Sequence, residues 1–320
     1  MMHMLRKPFY VIILSAVFTI GTLSFSCAQT GTAFRTEMRN REDSLKVLAT
    51  KIVQEREAGD RFIADSAFTR MLVRALKVPY SFSYPFDSVV SISKMYAPDS
   101  TFRIFTWQVS KDEAVHRRHG AIQMKTNDGR LVLYPLIDRT AMIENVVDTI
   151  TNHEWWVGSI YYRIVLKEFQ GKKYYTLLGY DEHTIRSTKK RIEVLTFNGE
   201  NKPVFGGKYF SFAQDTARKP TQSRFWIEYK KQSNARLQFD DEMDMIIFDH
   251  LIPENNEEGK LYTYIPDGDY EGFRWQNGQW VHIEKVFTQK LKDGEAPVGA
   301  PVSEDKLGKK VTPAKKPAKQ

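Results

Sequence analysis

One cysteine, Cys27, stands in a chain of 320 residues. Without a second thiol there is no intramolecular disulfide and no structural zinc site built on cysteines. Past residue 27 there is no cysteine nucleophile either. GxSxG, HExxH, the P-loop and a GxGxxG leading into a helix are all missing, so the familiar motifs for acyl transfer, zinc proteolysis and nucleotide binding are unsupported. No motif recurs at a fixed period of about 40–50 residues, which weakens a propeller reading. Strand and helix patterns do not alternate as they do in a doubly wound sheet. No segment after the N-terminal one reaches the roughly 20 apolar residues that span a bilayer.

What is present begins with an address. Arg6 and Lys7 precede an apolar run from Tyr10 to Phe25, and small residues surround Cys27 in "LSFSCAQ". That order of positive, apolar and cleavage regions predicts an export signal over residues 1–26. Two processing routes fit. Signal peptidase I would accept Ser26 and Ala28 ahead of Gln29 and discard the thiol. The lipoprotein route would cut before Cys27 and acylate it. Ser26 suits that lipobox, whereas Ser24 stands where leucine is usual. An acylated Cys27 would be a stable membrane anchor. The expected location is the periplasm or the outer-membrane surface.

The net charge of +8 is unevenly spread. Arg6 and Lys7 leave with the signal, and residues 290–320 carry eight lysines against four acids, so residues 27–289 hold only +2. The body is therefore not expected to bind nucleic acid. The tail has four prolines, no aromatic residue, and six lysines with no acid after Asp305. That composition predicts disorder, or a tether to an anionic envelope surface.

Between signal and tail, residues 27–39 read as a polar leader and 40–79 as a helical segment. Leu45, Leu48 and Ile52 share one helical face, Asp43 and Ser44 offer a cap, Gly59 a break and Pro79 a stop. From 86 to 289 the chain carries about a dozen short runs rich in aromatic and β-branched residues. Turn signals separate them at Asn127-Asp128-Gly129, Gln170-Gly171, Asn198-Gly199, Asp267-Gly268 and Asn277-Gly278. The pattern predicts a mainly β protein: an antiparallel sandwich or partly closed barrel, with a propeller-like arrangement less supported, preceded by the helical segment. Asp138 to Asn152 leaves room for one short helix.

Candidate chemistry is sparse. His116-Arg117-Arg118-His119 reads as a charged turn, since adjacent arginines repel a metal ion. Asp181 and His183 follow one strand run, Asp249 and His250 end another, and His153-Glu154 precedes a tryptophan pair. If strand ends met at one rim, Asp181, His183, Asp249 and His250 would form a zinc set. "FDDEMD" at 239–244 and "PDGDYEG" at 266–272 lack the spaced oxygens of a calcium loop and read as turns. No cofactor is expected. Trp155, Trp156, Trp275 and Trp280 are candidates for a sugar- or peptide-binding surface, because neighbours on a strand point to opposite faces. The competing reading places them in the core.

Asp-Ser or Asp-Thr followed by an apolar residue or Thr occurs six times, where composition predicts roughly one. These triplets resemble the O-glycosylation motif of exported Bacteroidota proteins. The resemblance makes Ser44, Ser66, Ser88, Ser100, Thr149 and Thr216 acceptors wherever they are exposed. Capping by Asp and Ser explains the sites near 43 and 65 without any sugar. "YYRIVLKEFQGKKYYTLLGYDEHTIRSTKKRIEVLTFNGENKPVFG", with "MIIFDHL" and "YIPDGDYEGFRW", resembles an uncharacterised family of exported Bacteroidota proteins over about residues 35–288. That resemblance implies an address and a β fold, and no activity. The expectation is an envelope protein that binds a glycan, peptide or protein partner, or scaffolds one. The alternatives are an exported, metal-assisted hydrolase and a lysine-tail tether.

Overall fold

The computed structural model describes residues 9–255 and 257–287, with side chains from Gly31 onward. The side chains of the expected export signal, Cys27 with its expected lipidation, and the tail over 290–320 lie outside the described residues. The chain divides after Val286, and the description below concerns the part before that point.

Helix α1 (Phe9–Gln54) and helix α2 (Ala58–Leu76) form a hairpin. Leu45, Ala49 and Ile52 on the first meet Phe68, Leu72 and Ala75 on the second, all buried. The helix does not begin near residue 40. It already includes 31–39, with Met38 buried and Phe34 packed against the same core, so those residues are not a leader outside the helix. Asp43 and Ser44 consequently sit mid-helix, where the Ser44 hydroxyl donates to the Asn40 carbonyl at 3.2 Å instead of capping. The break lies at 55–57 rather than at Gly59. Arg61 clamps it, donating to the carbonyls of Glu55 (2.8 Å), Arg56 (2.6 Å) and, across on the sheet, Ser110 (2.8 Å).

A first sheet follows: β1 (Ser93–Tyr96), β2 (Phe102–Ser110), β3 (His116–Met124) and β4 (Val132–Ile137), antiparallel in that order. His116 to His119 belong to β3 and are not a turn. Three apart on a strand, His116 and His119 face opposite ways. His116 meets Ser110 at 2.8 Å, while His119 stacks on Trp107.

The second sheet runs β5 (Thr151–Asn152), β9 (Pro203–Phe205), β8 (Ser187–Phe197), β7 (Lys172–Asp181), β6 (Ile160–Phe169), and β11 (Arg224–Lys230) pairs with β8. The third runs β10 (Phe210–Ser211), β15 (Gln279–Ile283), β14 (Tyr264–Gln276), β13 (Met245–Pro253), β12 (Leu237–Asp240). Its β10–β15 contact is parallel and only two residues long. Among the described residues the protein is thus mainly β, 42% strand against 21% helix, with antiparallel sheets and no closed barrel.

Three cores order these parts in layers. Phe105, Trp107 and Val109 of β2 face the helices, whereas Phe102 and Ile104 face the second sheet. Tyr175 and Leu177 of β7 join that interior, while Tyr174 and Leu178 join Ile246, Phe273 and Trp280 of the third sheet. Strands buried on both faces explain the near-continuous apolar runs of β2 and β7. Each large apolar side chain so buried stabilises the fold by about 1.5–3 kcal/mol before entropy is counted.

Asp99, in the β1–β2 turn, ties the first sheet to the second. It accepts from Lys173 Nζ and Tyr175 Oη, both at 2.8 Å. Burial opposes its charge, but bonds from Lys173, Thr101 and Tyr175 outweigh burial and hold its pKa down at about 2, against 3.8 for a free aspartate. The stabilisation is complete above the unfolded value and is lost as pH falls through the folded one. Urea unfolding is expected to show Asp99→Asn less stable by about 1 kcal/mol at pH 7, after allowance for solvent screening, with the gap closing near pH 2. A gap independent of pH would show that the link is not ionic.

The turn signals at Gln170-Gly171 and Asn277-Gly278 are tight hairpins with consecutive positive φ (50° and 74°; 49° and 80°). Asp267-Gly268 is not a hairpin. β14 runs straight through it, and Asp249 and Leu251 of β13 pair with Tyr270 and Pro266. Residues 267–269 therefore bulge opposite His250. Gly268 takes φ +96° there, the conformation its type permits, without reversing the chain.

Candidate functional site

The segment from β4 to β6 carries Trp155, and fully buried Arg224 organises it. Arg224 Nε donates to Glu193 at 2.7 Å, and its other nitrogens reach the carbonyls of Val146 and Thr149 and the Thr151 hydroxyl. Ser223 and Arg224 N–H groups add bonds to the Val147 carbonyl at 2.9 and 3.0 Å. The chain then enters a 3-10 turn over His153–Trp155, which Asn152 Oδ1 caps by accepting from Glu154 N (2.9 Å) and Trp155 N (3.1 Å). Trp156, just beyond, is buried. Its indole N–H donates to Tyr161 Oη at 2.7 Å, and Tyr161 donates to Glu193 at 2.6 Å.

That anchoring leaves Trp155 48% exposed. It lines an open cleft of about 570 Å³ with Asn152, His153, Glu154, Asn198 and Lys202. Asn198 Oδ1 accepts from Glu200 N and Lys202 N and so shapes the β8–β9 turn on the opposite wall. His153 rests against Tyr134, ring centroids 5.3 Å apart. The cleft therefore offers a flat apolar ring beside amide, imidazole, carboxylate and ammonium groups on a rigid base. Glu154 is the one acid among the residues lining it. Glycoside hydrolysis ordinarily uses two facing carboxylates, and this lining presents one.

Burial corrects two of the other three tryptophan candidates: Trp156 and Trp280 are fully buried and have no open face on which a sugar could stack. Trp275 is half-buried and packs between Tyr174 and Trp280, both at 5.3 Å. Tyr174 and Tyr175 are both buried as well, because β7 has packed layers on each side.

The four expected zinc ligands do not come together. Asp181 and His183 line a cleft of about 340 Å³ with Arg118 and Asp138. Asp181 is locked there by Arg118 and by Arg191 Nη2 at 3.7 Å. Burial works against its charge, but the two guanidiniums hold the carboxyl below the usual range. His183 is pushed below its ordinary value by burial and by Lys189. The two guanidiniums beside Asp181 and the Lys189 ammonium beside His183 disfavour a metal ion there. Asp249 is spent accepting from Arg236 N at 2.6 Å, and His250 pairs with Asp267 at 2.8 Å.

A third cleft of about 450 Å³ lies between the helix hairpin and the ends of β2 and β3, lined by Ile52, Val53, Gln108, Ser110, His116 and Glu182. Its Ser110–His116 pair resembles a nucleophile and base. The imidazole Nε2, however, has no partner to orient it, and Glu182 is held by Lys231 at 3.0 Å. An activated serine needs the third group.

Among the glycosylation candidates, Ser44, Ser66, Ser100 and Thr216 are exposed and Thr149 is half-buried. The Ser88 hydroxyl is inaccessible and cannot serve as an acceptor in the folded protein. Several partner aspartates have structural duties: Asp65 accepts from Trp107 Nε1 at 2.7 Å, and Asp215 bonds His282 at 2.9 Å.

No family model, curated protein or solved structure matches this chain.

Proposed function

We propose that this protein is a non-enzymatic binding protein of the bacterial envelope, and that its ligand is a glycan held in the Trp155 cleft. The observation carrying this reading is the exposed indole over a cleft of about 570 Å³ that also presents Asn152, His153, Glu154, Asn198 and Lys202. A sugar ring has an apolar face of axial hydrogens and an edge of hydroxyls. An aromatic platform beside fixed donors and acceptors complements both. The export signal read from residues 1–26 supports an envelope glycan as the source. The resemblance to exported Bacteroidota proteins points to the same compartment.

Peptidoglycan fragments and lipopolysaccharide core oligosaccharides, titrated by calorimetry into the protein lacking residues 1–28, test the proposal. Binding of at least one class is expected, with Trp155→Ala weakening it tenfold or more, equivalent to about 1.4 kcal/mol. Absence of saccharide binding, or equal binding by Trp155→Ala, would overturn the reading.

A further inference from the structure

Two asparagines stand on opposite walls of the Trp155 cleft. Asn152 opens the 3-10 turn on one side, and its Oδ1 accepts from Glu154 N (2.9 Å) and Trp155 N (3.1 Å). Asn198 opens the β8–β9 turn on the other, and its Oδ1 accepts from Glu200 N (3.0 Å) and Lys202 N (2.9 Å). The pairing of Asn152 with Val204 in β9 holds the two walls together. An amide oxygen accepts and an amide nitrogen donates, so these four backbone N–H groups fix which end of each side chain is which. In both residues the oxygen is spent on the turn. Both side chains are exposed, and among the described residues neither NH2 group has an acceptor.

The cleft also holds acceptors. His153 Nδ1 lies 3.2 Å from the Pro135 carbonyl oxygen, which can only accept, so the proton sits on Nδ1 and the neutral ring keeps a lone pair on Nε2. Glu154 supplies a carboxylate. Charge runs against an acidic ligand: Lys202 is the one lysine or arginine in the lining and is already paired with Glu200 at 2.8 Å, while Glu154 adds a further negative charge. The matching ligand is therefore neutral, with a carbonyl oxygen for the amides and an N–H for His153 or Glu154. A sugar hydroxyl has neither group. An acetamido substituent has both, side by side, and ends in a methyl group. Ile150, Pro203 and Val204 give the same cleft an apolar portion that suits such a methyl.

We propose that the Trp155 cleft selects N-acetylated amino sugars, with the Asn152 and Asn198 NH2 groups donating to acetamido carbonyl oxygens. His153 or Glu154 accepts from the acetamido N–H, and the Trp155 indole carries the ring face. This selectivity rests on the glycan reading above and adds the group that is recognised. A sugar with a hydroxyl in place of the acetamido group leaves fixed donors and acceptors unmatched. A site built to hydrogen-bond one group rejects the analogue that lacks it.

Chitotriose, cellotriose and the fully deacetylated glucosamine trimer share ring shape and linkage and differ in one substituent per ring. Calorimetric titration into the full chain, held in a detergent without sugar headgroups, compares them. Chitotriose is expected to bind about tenfold or more tightly than either of the others. Asn152→Asp and Asn198→Asp keep an oxygen for the turn N–H groups and replace the donor with an acceptor. Each is expected to weaken chitotriose binding about tenfold or more, with the circular dichroism spectrum unchanged. The disaccharide of N-acetylglucosamine and N-acetylmuramic acid, set beside chitobiose, separates the sources. Binding of both supports the proposal with peptidoglycan as the source, and binding of chitobiose alone supports it with a neutral acetylated glycan. Cellotriose binding as tightly as chitotriose overturns the acetamido assignment and leaves the glycan reading standing. So does chitotriose affinity that survives both substitutions undiminished. A protein that binds none of the three trimers also overturns the assignment, and the peptidoglycan and lipopolysaccharide titration above then decides whether the glycan reading falls with it.

Discussion

Arg224→Ala is expected to destabilise the protein by about 3–5 kcal/mol, because it strands a buried carboxylate. Arg224 and Glu193 are both fully buried and joined at 2.7 Å. Without the guanidinium, Glu193 keeps only the Tyr161 hydroxyl at 2.6 Å as a side-chain partner. The same substitution releases the carbonyls of Val146, Thr149 and Phe205 and the Thr151 hydroxyl. For a domain of this size each kcal/mol moves Tm by about 2–4 °C, so a fall of roughly 10 °C is expected in a thermal melt. Replacing the pair together, Arg224→Met with Glu193→Leu, removes the stranded charge and is expected to cost less than the single change. If the single substitution proved as mild as the double, the pair would not hold the segment. Since that segment leads into Trp155, Arg224→Ala is also expected to weaken any ligand of the cleft.

The two adjacent tryptophans are expected to separate stability from binding. Trp156 is fully buried between the first and second sheets, with its indole N–H bonded to Tyr161. Trp156→Ala leaves a cavity and removes the indole donor to the Tyr161 hydroxyl, and it should cost about 3–5 kcal/mol in urea unfolding. Trp155→Ala removes a side chain that is 48% exposed and should stay within about 0.5 kcal/mol of wild type. A substantial loss of stability in Trp155→Ala would mean that the indole is structural, and the cleft would lose its claim to be a binding platform.

Much of the β architecture was legible because its signals are local. Gln170-Gly171 and Asn277-Gly278 reverse the chain through positive φ values that Gly and Asn tolerate, and four neighbouring residues suffice to specify such a turn. Apolar and aromatic runs marked most strands for a similarly local reason. The failures share a cause as well. Asp267-Gly268 carries the same turn chemistry, yet β13 pairs with the chain on both sides of it, so the glycine forms a bulge. Residues 31–39 look polar, yet Phe34 and Met38 are enough to seat that part of α1 on its core. His116 to His119 look like a loop, yet β2 supplies a partner for each of the four.

The candidate sites divide along the same line. The sequence by itself determined the mainly antiparallel β class and the positions of most hairpins. It also provided the pool of aromatic and titratable residues and excluded cysteine-based chemistry in the body. It left open which of Trp155 and Trp156 faces outward, because a one-residue choice of face depends on the layer that covers it. It passed over Asn152 and marked Asn198 only as a turn residue. Only the tertiary structure decided that the two meet across one cleft, because that meeting depends on the pairing of Asn152 with Val204. Register between strands is set by the packing of whole faces, and that information lies in the assembled sheet and not in any short stretch of chain.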